Sequence, residues 1–275
     1  THAIVASQTR SHLLTMHPML HTAVRSVREG GRVILMYFDQ LDRLEYSSKG
    51  RNDYVSQADV EAERAVLDVL TRAYPDHGII AEESGEREGS EYTWVIDPLD
   101  GTTNFLHGFP MFAVSVAVKR GGVLEHGVVY DPLHDEMFTA SRGEGAQLNG
   151  KRLRVSTTRQ LAPSLLGTGF PFRDLGIIEP WMRSFQSLLP KTSGIRRAGA
   201  AALDLAYVAA GRLDGFWEFG LKPWDMAAGA LLIREAGGLV ADVSGGQDFL
   251  ENGNLVAANP LIFEEFRKIV ARSVP

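Results

Sequence analysis

Apolar residues recur at helical spacing over residues 18–41, where Leu20, Val24, Val27, Gly31, Leu35 and Phe38 share one face. This predicts a long amphipathic helix. The polar stretch 46–54 reads as a loop or hairpin. A second helix is expected from about Asp59: Glu61 and Glu63 suit its positive N-terminus, and Val66, Leu67 and Leu70 form its apolar stripe. Tyr74-Pro75-Asp76-His77-Gly78 ends it. Residues 79–81 form a short strand leading into Glu82, Glu83 and Ser84, and the charged segment 85–91 reads as a mobile loop. Strands are then expected at 92–96, 112–118 and 124–130, the last two a hairpin around Arg120-Gly121-Gly122. Further strands at 137–140 and 146–148 continue the meander, with Leu148-Asn149-Gly150-Lys151 as a tight turn. The second half alternates. A strand is expected at 164–168, a helix at 179–189, a site-like loop at 194–197, and an alanine-rich helix at 200–210 closed by Gly211. A strand at 215–218, a helix from Trp224 to Gly237-Gly238, strands at 239–243 and 255–258, and a helix at 261–274 complete the chain. There is no internal repeat, heptad array or low-complexity segment. The mixture predicts layered packing of the α+β or α/β kind.

Composition narrows the picture. A chain of 275 residues has room for one large domain or two packed subdomains. A single domain over 16–275 is expected, with subdomains of about 16–155 and 156–275. Residues 1–15 lack a basic segment followed by a long apolar core, so they do not read as a signal peptide. Met16-His17-Pro18-Met19-Leu20 reads as a natural start, and 1–15 as an N-terminal extension or residues foreign to the natural chain. No apolar run approaches the roughly 18 residues of a membrane span. The net charge of −6 gives no overall field for nucleic acid. The absence of cysteine excludes disulfides, thiolate metal sites and a cysteine nucleophile, and it fits a cytoplasmic location.

The chemistry concentrates in Trp94-Val95-Ile96-Asp97-Pro98-Leu99-Asp100-Gly101-Thr102-Thr103. An apolar run stops at two carboxylates, and two acids at the end of a buried strand are unfavourable unless something positive neutralises them. A divalent cation with oxygen ligands does so. Pro98 fixes the turn, so both carboxylates and the Leu99 carbonyl can face one point. Gly101 lets an anion approach the backbone, and Thr102 and Thr103 open a helical turn whose free N–H groups favour phosphate. Other acids stand at element ends: Asp53, Glu82-Glu83, Glu218 and Asp225. Taken singly, each has a plain explanation. Asp-Pro-x-Asp-Gly is most often an ordinary turn, and Asp225 is most simply a helix cap. His107 reads as a packing or surface residue. The joint presence and order of the acids carry the metal reading.

The segment Asp97-Pro98-Leu99-Asp100-Gly101-Thr102-Thr103-Asn104-Phe105 resembles the first signature of the inositol monophosphatases. Trp224-Asp225-Met226-Ala227-Ala228-Gly229, with 234–238 beyond it, resembles the second. Glu82-Glu83-Ser84 and the segment 53–59 match in order, so the resemblance covers about residues 17–270. Arg196-Arg197-Ala198-Gly199 followed by Ala201-Ala202-Leu203-Asp204-Leu205 looks most like the bacterial SuhB-like branch.

The resemblance implies an αβαβα five-layer sandwich and a Mg2+-dependent, lithium-sensitive phosphomonoesterase for inositol 1-phosphate and similar polyol monophosphates. It implies two to three Mg2+ per subunit, held by Glu82, Asp97, the Leu99 carbonyl, Asp100 and Asp225. Catalytic roles fall to Glu82 and to Thr102, which would be hydrogen-bonded to Asp53 and orient the attacking water. Substrate contacts fall to the Gly101 and Thr102 amides, Asp100, the Ala201 backbone, Glu218 and Asp225, with Arg196 a further substrate-side or interface candidate. Where many relatives carry Gly-Ser or Gly-Thr, this chain has Gly199-Ala200, so one hydroxyl near the alcohol is missing. A homodimer is implied. Two alternatives stay open: another small phosphate ester (fructose 1,6-bisphosphate, a nucleotide bisphosphate or NADP), and association with RNA polymerase and antitermination factors.

Overall fold

The computed structural model describes residues 16–44, 46–50, 53–171 and 174–274; the extension expected over 1–15 lies outside the described residues. Helix α1 (Pro18–Phe38) starts with proline at its first turn, where a missing N–H loses no bond, and His17 Nδ1 accepts from the Met19 amide. It ends three residues before the expected 41, and a single 3-10 turn (Leu41–Arg43) follows. Strands β1 (Tyr46–Gly50) and β2 (Asp53–Ser56) form an antiparallel hairpin. Helix α2 (Gln57–Ala73) begins ahead of Asp59 because Ser56 caps it. The Ser56 hydroxyl accepts from the Ala58 amide at 3.2 Å, and the Asp59 carboxylate accepts from the Ser56 amide at 2.8 Å.

An eight-stranded sheet follows. Its strands are β3 (Gly78–Ala81), β4 (Gly85–Arg87), β5 (Tyr92–Asp100), β6 (Ala113–Arg120), β7 (Val123–Asp131), β8 (Glu136–Ser141), β9 (Gly145–Leu148) and β10 (Lys151–Arg152). Their spatial order is β10-β9-β8-β7-β6-β5-β3-β4, and only β3 and β5 run parallel. Residues 85–87 are thus an edge strand rather than part of a mobile loop. Their backbone pairs with β3, which exposed charged side chains permit.

The second sheet contains β11 (Leu165–Thr168), β12 (Gly194–Arg196), β13 (Gly215–Glu218), β14 (Leu239–Ala241) and β15 (Leu255–Ala258), in the order β12-β11-β13-β15-β14. Residues 194–196 were expected to be a loop; they pair with β11 in parallel and form a sheet edge.

Helices α1 and α2 cover the outer face of the large sheet through Val27, Ile34, Val66 and Leu70. The five-residue α3 (Thr102–Leu106) follows β5. Helices α4 (Ile178–Leu188) and α8 (Phe263–Ala271) cover the outer face of the small sheet through Trp181, Leu188, Phe266 and Val270. Between the sheets lie α5 (Ala201–Ala209) and α6 (Pro223–Glu235), with the short α7 (Phe249–Asn252) beside them. The result is the five-layer αβαβα sandwich.

The middle layer explains the alanine-rich sequence. A helix between two sheets is buried on every side, and residues 226–233 of α6 are all buried. Small side chains let the elements approach closely. A Cβ on Gly229 would lie 2.5 Å from Leu205 Cβ on α5, and one on Gly127 of β7 would lie 3.0 Å from Ala228 Cα. Replacing Gly229 by alanine should therefore destabilise the fold by about 1 kcal/mol or more through overpacking, despite a helix-propensity gain of about 1 kcal/mol. Urea unfolding checks this; a higher midpoint than the parent would contradict the packing.

Candidate active site

Strand β5 does not stop at Ile96, as expected, but continues to Asp100. Asp97 pairs with Ser115 and Asp100 with Ala113, so three steps on β5 face two on β6. Pro98 cannot donate to the ladder, and a bulge is where a strand interior tolerates it. The Asp97 carboxylate accepts from the Leu99 amide at 3.0 Å. Asp97 and Leu99 are each 1% exposed. The bulge therefore delivers Asp97 and Asp100 to one end of the sheet, both turned inward.

Gly101 sits at φ +91°, and a Cβ there would lie 2.8 Å from Met111 O, so only glycine allows this turn. Helix α3 starts at once. Thr102 Oγ1 donates to Asp59 Oδ1 at 2.9 Å and lies 3.1 Å from Leu99 O. The expected partner of Thr102 was Asp53; the structure gives Asp59, six residues later. The first turn of α2 buries Asp59 completely, and its other oxygen accepts from the Ser56 amide and hydroxyl. Asp53 is the first residue of β2, and its side chain lies outside the described residues.

Asp225, in the first turn of α6, accepts from the Lys222 amide at 2.7 Å. Asp97, Asp100 and Asp225 each offer a carboxylate oxygen within 4.8 Å of the others. Asp100 also accepts from the Ala202 amide at 2.7 Å, which ties the cluster to the N-terminus of α5. Glu82 follows β3, with its amide bonded to Ile96 O at 3.3 Å. Its turn is held by Glu63, whose two oxygens accept from the Glu83 and Ser84 amides, each at 2.8 Å. Glu63 thus braces the Glu82 turn rather than complementing a helix end.

A cavity of about 480 Å³ opens over these groups. Glu82, Asp97, Leu99, Asp100, Gly101, Thr102, Ala201, Glu218 and Asp225 line it. Arg196 does not: it is exposed, and Nη1 donates to its neighbour's carbonyl, Ile195 O, at 3.3 Å. Successive residues at the end of β12 face opposite ways, and Arg197 is the one that lines the cavity. His107 is exposed at the cavity's rim. Asp204, 2% exposed in the first turn of α5, also lines the cavity. The available signal was an acid inside an otherwise apolar, alanine-rich helix.

Burial pushes the Asp97 carboxyl well above the usual range, and the charges of Glu82, Asp100 and Asp225 push it further. Glu218 is raised by burial and then by Asp225 and Asp204, with Arg197 opposing. Asp204 is raised by burial and then by Asp100, again with Arg197 opposing. Among the described residues, the groups that gather at Asp97 are acids, and the donors they offer are oxygen. That set fits Mg2+, a hard cation that takes carboxylates and carbonyls and keeps some of its water.

The profile of the inositol monophosphatase family matches residues 15–274. The chain belongs to this family. Within it the chain falls in the SuhB-like branch. It is 54% identical to the Nus factor SuhB of Pseudomonas aeruginosa, over 94% of this chain and 98% of that protein. The crystal structure of the extragenic suppressor protein suhB from Bartonella henselae superposes with a TM-score of 0.91 at 44% identity, covering 94% of this chain and all of that one. The Thermotoga maritima IMPase gives a TM-score of 0.85 at 36% identity, covering 94% and 98% of the two chains. Among the described residues no helix is long and apolar enough to cross a membrane.

The raised acids set a pH dependence for the family member freed of cations. An unfolded Asp titrates near about 3.9, while Asp97 in the fold keeps its proton to higher pH. The native state then binds more protons, so stability falls as pH rises through that interval. In chelator-treated protein, the thermal midpoint should drop as pH rises above the ordinary Asp range, and Asp97→Asn should flatten the slope and raise the midpoint at the upper end. A midpoint that climbs over this range would contradict the assignment.

Proposed function

We propose that the chain is a Mg2+-dependent phosphomonoesterase acting on inositol 1-phosphate and similar polyol monophosphates. The observation that carries this reading is the convergence of Asp97, Asp100 and Asp225 within 4.8 Å on the floor of a cavity that Glu218 also lines. Bound by these carboxylates with Glu82 and the Leu99 carbonyl, Mg2+ would neutralise a phosphate and lower the pKa of water beside it. The chain's own groups do the rest. The Thr102 hydroxyl donates its hydrogen bond to Asp59, which leaves the oxygen's lone pairs to accept from a water and so aim it at phosphorus. The Gly101 and Thr102 amides face the phosphate oxygens. Glu218 and the far side of the cavity receive the alcohol. No covalent intermediate is required, and the proton balance closes: water supplies hydroxide to phosphorus and a proton to the leaving alkoxide.

Identity of 53–54% to relatives named Nus factor, along 93–98% of their length, favours a second, compatible reading. In it the chain also associates with RNA polymerase and antitermination factors, as a homodimer or as its subunit. This role needs no intact metal cluster, so Asp97→Asn should still be retained by purified transcription complexes; no retention of either form contradicts it.

Phosphate release from inositol 1-phosphate tests the first reading. Activity should need Mg2+ and fall in lithium, and Asp97→Asn, Asp59→Asn and Thr102→Ala should each lower kcat by about 100-fold or more. Near-normal rates in the variants, or release without Mg2+, would contradict it. A panel with fructose 1,6-bisphosphate, a nucleotide bisphosphate and NADP separates the polyol reading from its alternatives.

A further inference from the structure

Arg197 lines the cavity, and neither the metal cluster nor the nucleophile accounts for it. Among the described residues of the lining it is the only arginine or lysine. Several features hold it in place. Its Cζ lies 5.0 Å above the Phe170 ring, and Phe170 is in turn packed edge-on against Trp181, with ring centroids 4.9 Å apart. Behind it the chain turns at Gly199, φ +91°, where a Cβ would lie 2.5 Å from Arg197 Nη1. That turn is fastened to the catalytic end of the sheet: Asn104 Nδ2, on α3 beside Thr102, donates to Ala198 O at 2.9 Å and to Met111 O at 2.7 Å.

The same strand end that carries Phe170 runs against Glu218. A Cβ on Gly169 would lie 1.9 Å from Glu218 Oε1, so the backbone passes directly over that carboxylate. Glu218 and Asp204 thus share the alcohol side of the cavity with one fixed guanidinium. Phe170, under the guanidinium, directly follows Gly169, so Arg197 stands beside the segment that lies on Glu218, and it is the cation of a wall that carries two acids.

Resting on the phosphatase reading, we propose that Arg197 is a positioning residue for the leaving alcohol: clamped between Phe170 and the Gly199 turn, it holds the Glu218 carboxylate in the one orientation that receives the alcohol's hydroxyls. It contributes to recognition of the alcohol and not to attack on phosphorus. A planar guanidinium stacks on an aromatic ring and forks toward carboxylates, which an ammonium group does not reproduce.

The test compares wild type, Arg197→Ala and Arg197→Lys on inositol 1-phosphate and on p-nitrophenyl phosphate, whose leaving group carries no further hydroxyl. Arg197→Ala should raise KM for inositol 1-phosphate about tenfold or more, leave kcat within about threefold, and leave both constants for p-nitrophenyl phosphate unchanged. Arg197→Lys should recover part of the KM loss. Calorimetry adds a readout without turnover: inositol 1-phosphonate should bind Arg197→Ala more weakly by the same factor, with inorganic phosphate unaffected. Equal losses on both esters, or an unchanged KM, would overturn the proposal while leaving the phosphatase reading intact. Failure of wild type to hydrolyse any phosphomonoester would instead sink that reading, and this one with it.

Discussion

Mutual repulsion among buried carboxylates is the constraint around which this molecule is arranged. Three acids lie within 4.8 Å of one another at the closed end of a strand, and Asp97 is 1% exposed. Unit charges at that separation repel by about 3–4 kcal/mol at an effective dielectric constant near 20. A domain's whole stability is about 5–15 kcal/mol, so such repulsion persists only where protonation or a cation relieves it. Backbone amides aim the cluster. Leu99 N fixes Asp97, Ala202 N fixes Asp100, and Lys222 N fixes Asp225.

The five layers follow from the need to bring these donors together. The acids come from β5, from the start of α6 and from the turn after β3, far apart in sequence. The large sheet supplies Glu82, Asp97 and Asp100 at the C-terminal ends of the parallel neighbours β3 and β5, and the small sheet supplies Glu218. The alanine-rich middle layer sets how closely the two halves approach, through contacts such as Gly229 on Leu205 and Gly127 on Ala228. Outer helices seal the sheets but also reach the site: α2 contributes Asp59 to Thr102 and Glu63 to the Glu82 turn.

Much of this was legible in the sequence. Period and apolar runs located the long helices and the interior strands, because a buried layer imposes its own spacing; the short edge strands 85–87 and 194–196 escaped them. The signature segments named Asp97, Leu99, Asp100, Thr102 and Asp225, which the fold brings to one cavity. Three things were not legible. The Thr102 partner was assigned to Asp53 rather than Asp59, since which acid a helix turn presents depends on its cap, here Ser56. The continuation of β5 through Pro98 hid behind a turn-like Asp-Pro-x-Asp-Gly, since only cross-strand register reveals a bulge. That Arg197 and not Arg196 lines the cavity is the third, since the facing of a residue at a three-residue edge strand is decided by its neighbours. The site roles of Glu63 and Asp204 are hidden for a related reason: each looks ordinary on its helix until the partner segment is in place.

The central claim is that the Asp97, Asp100 and Asp225 carboxylates hold a divalent cation. Anomalous diffraction from crystals soaked in Mn2+, a scattering stand-in for Mg2+, tests it directly. A peak in contact with oxygens of all three residues, lost in Asp97→Asn, is the result expected. A well-ordered cluster with no peak, in crystals that show bound Mn2+ elsewhere, would contradict it.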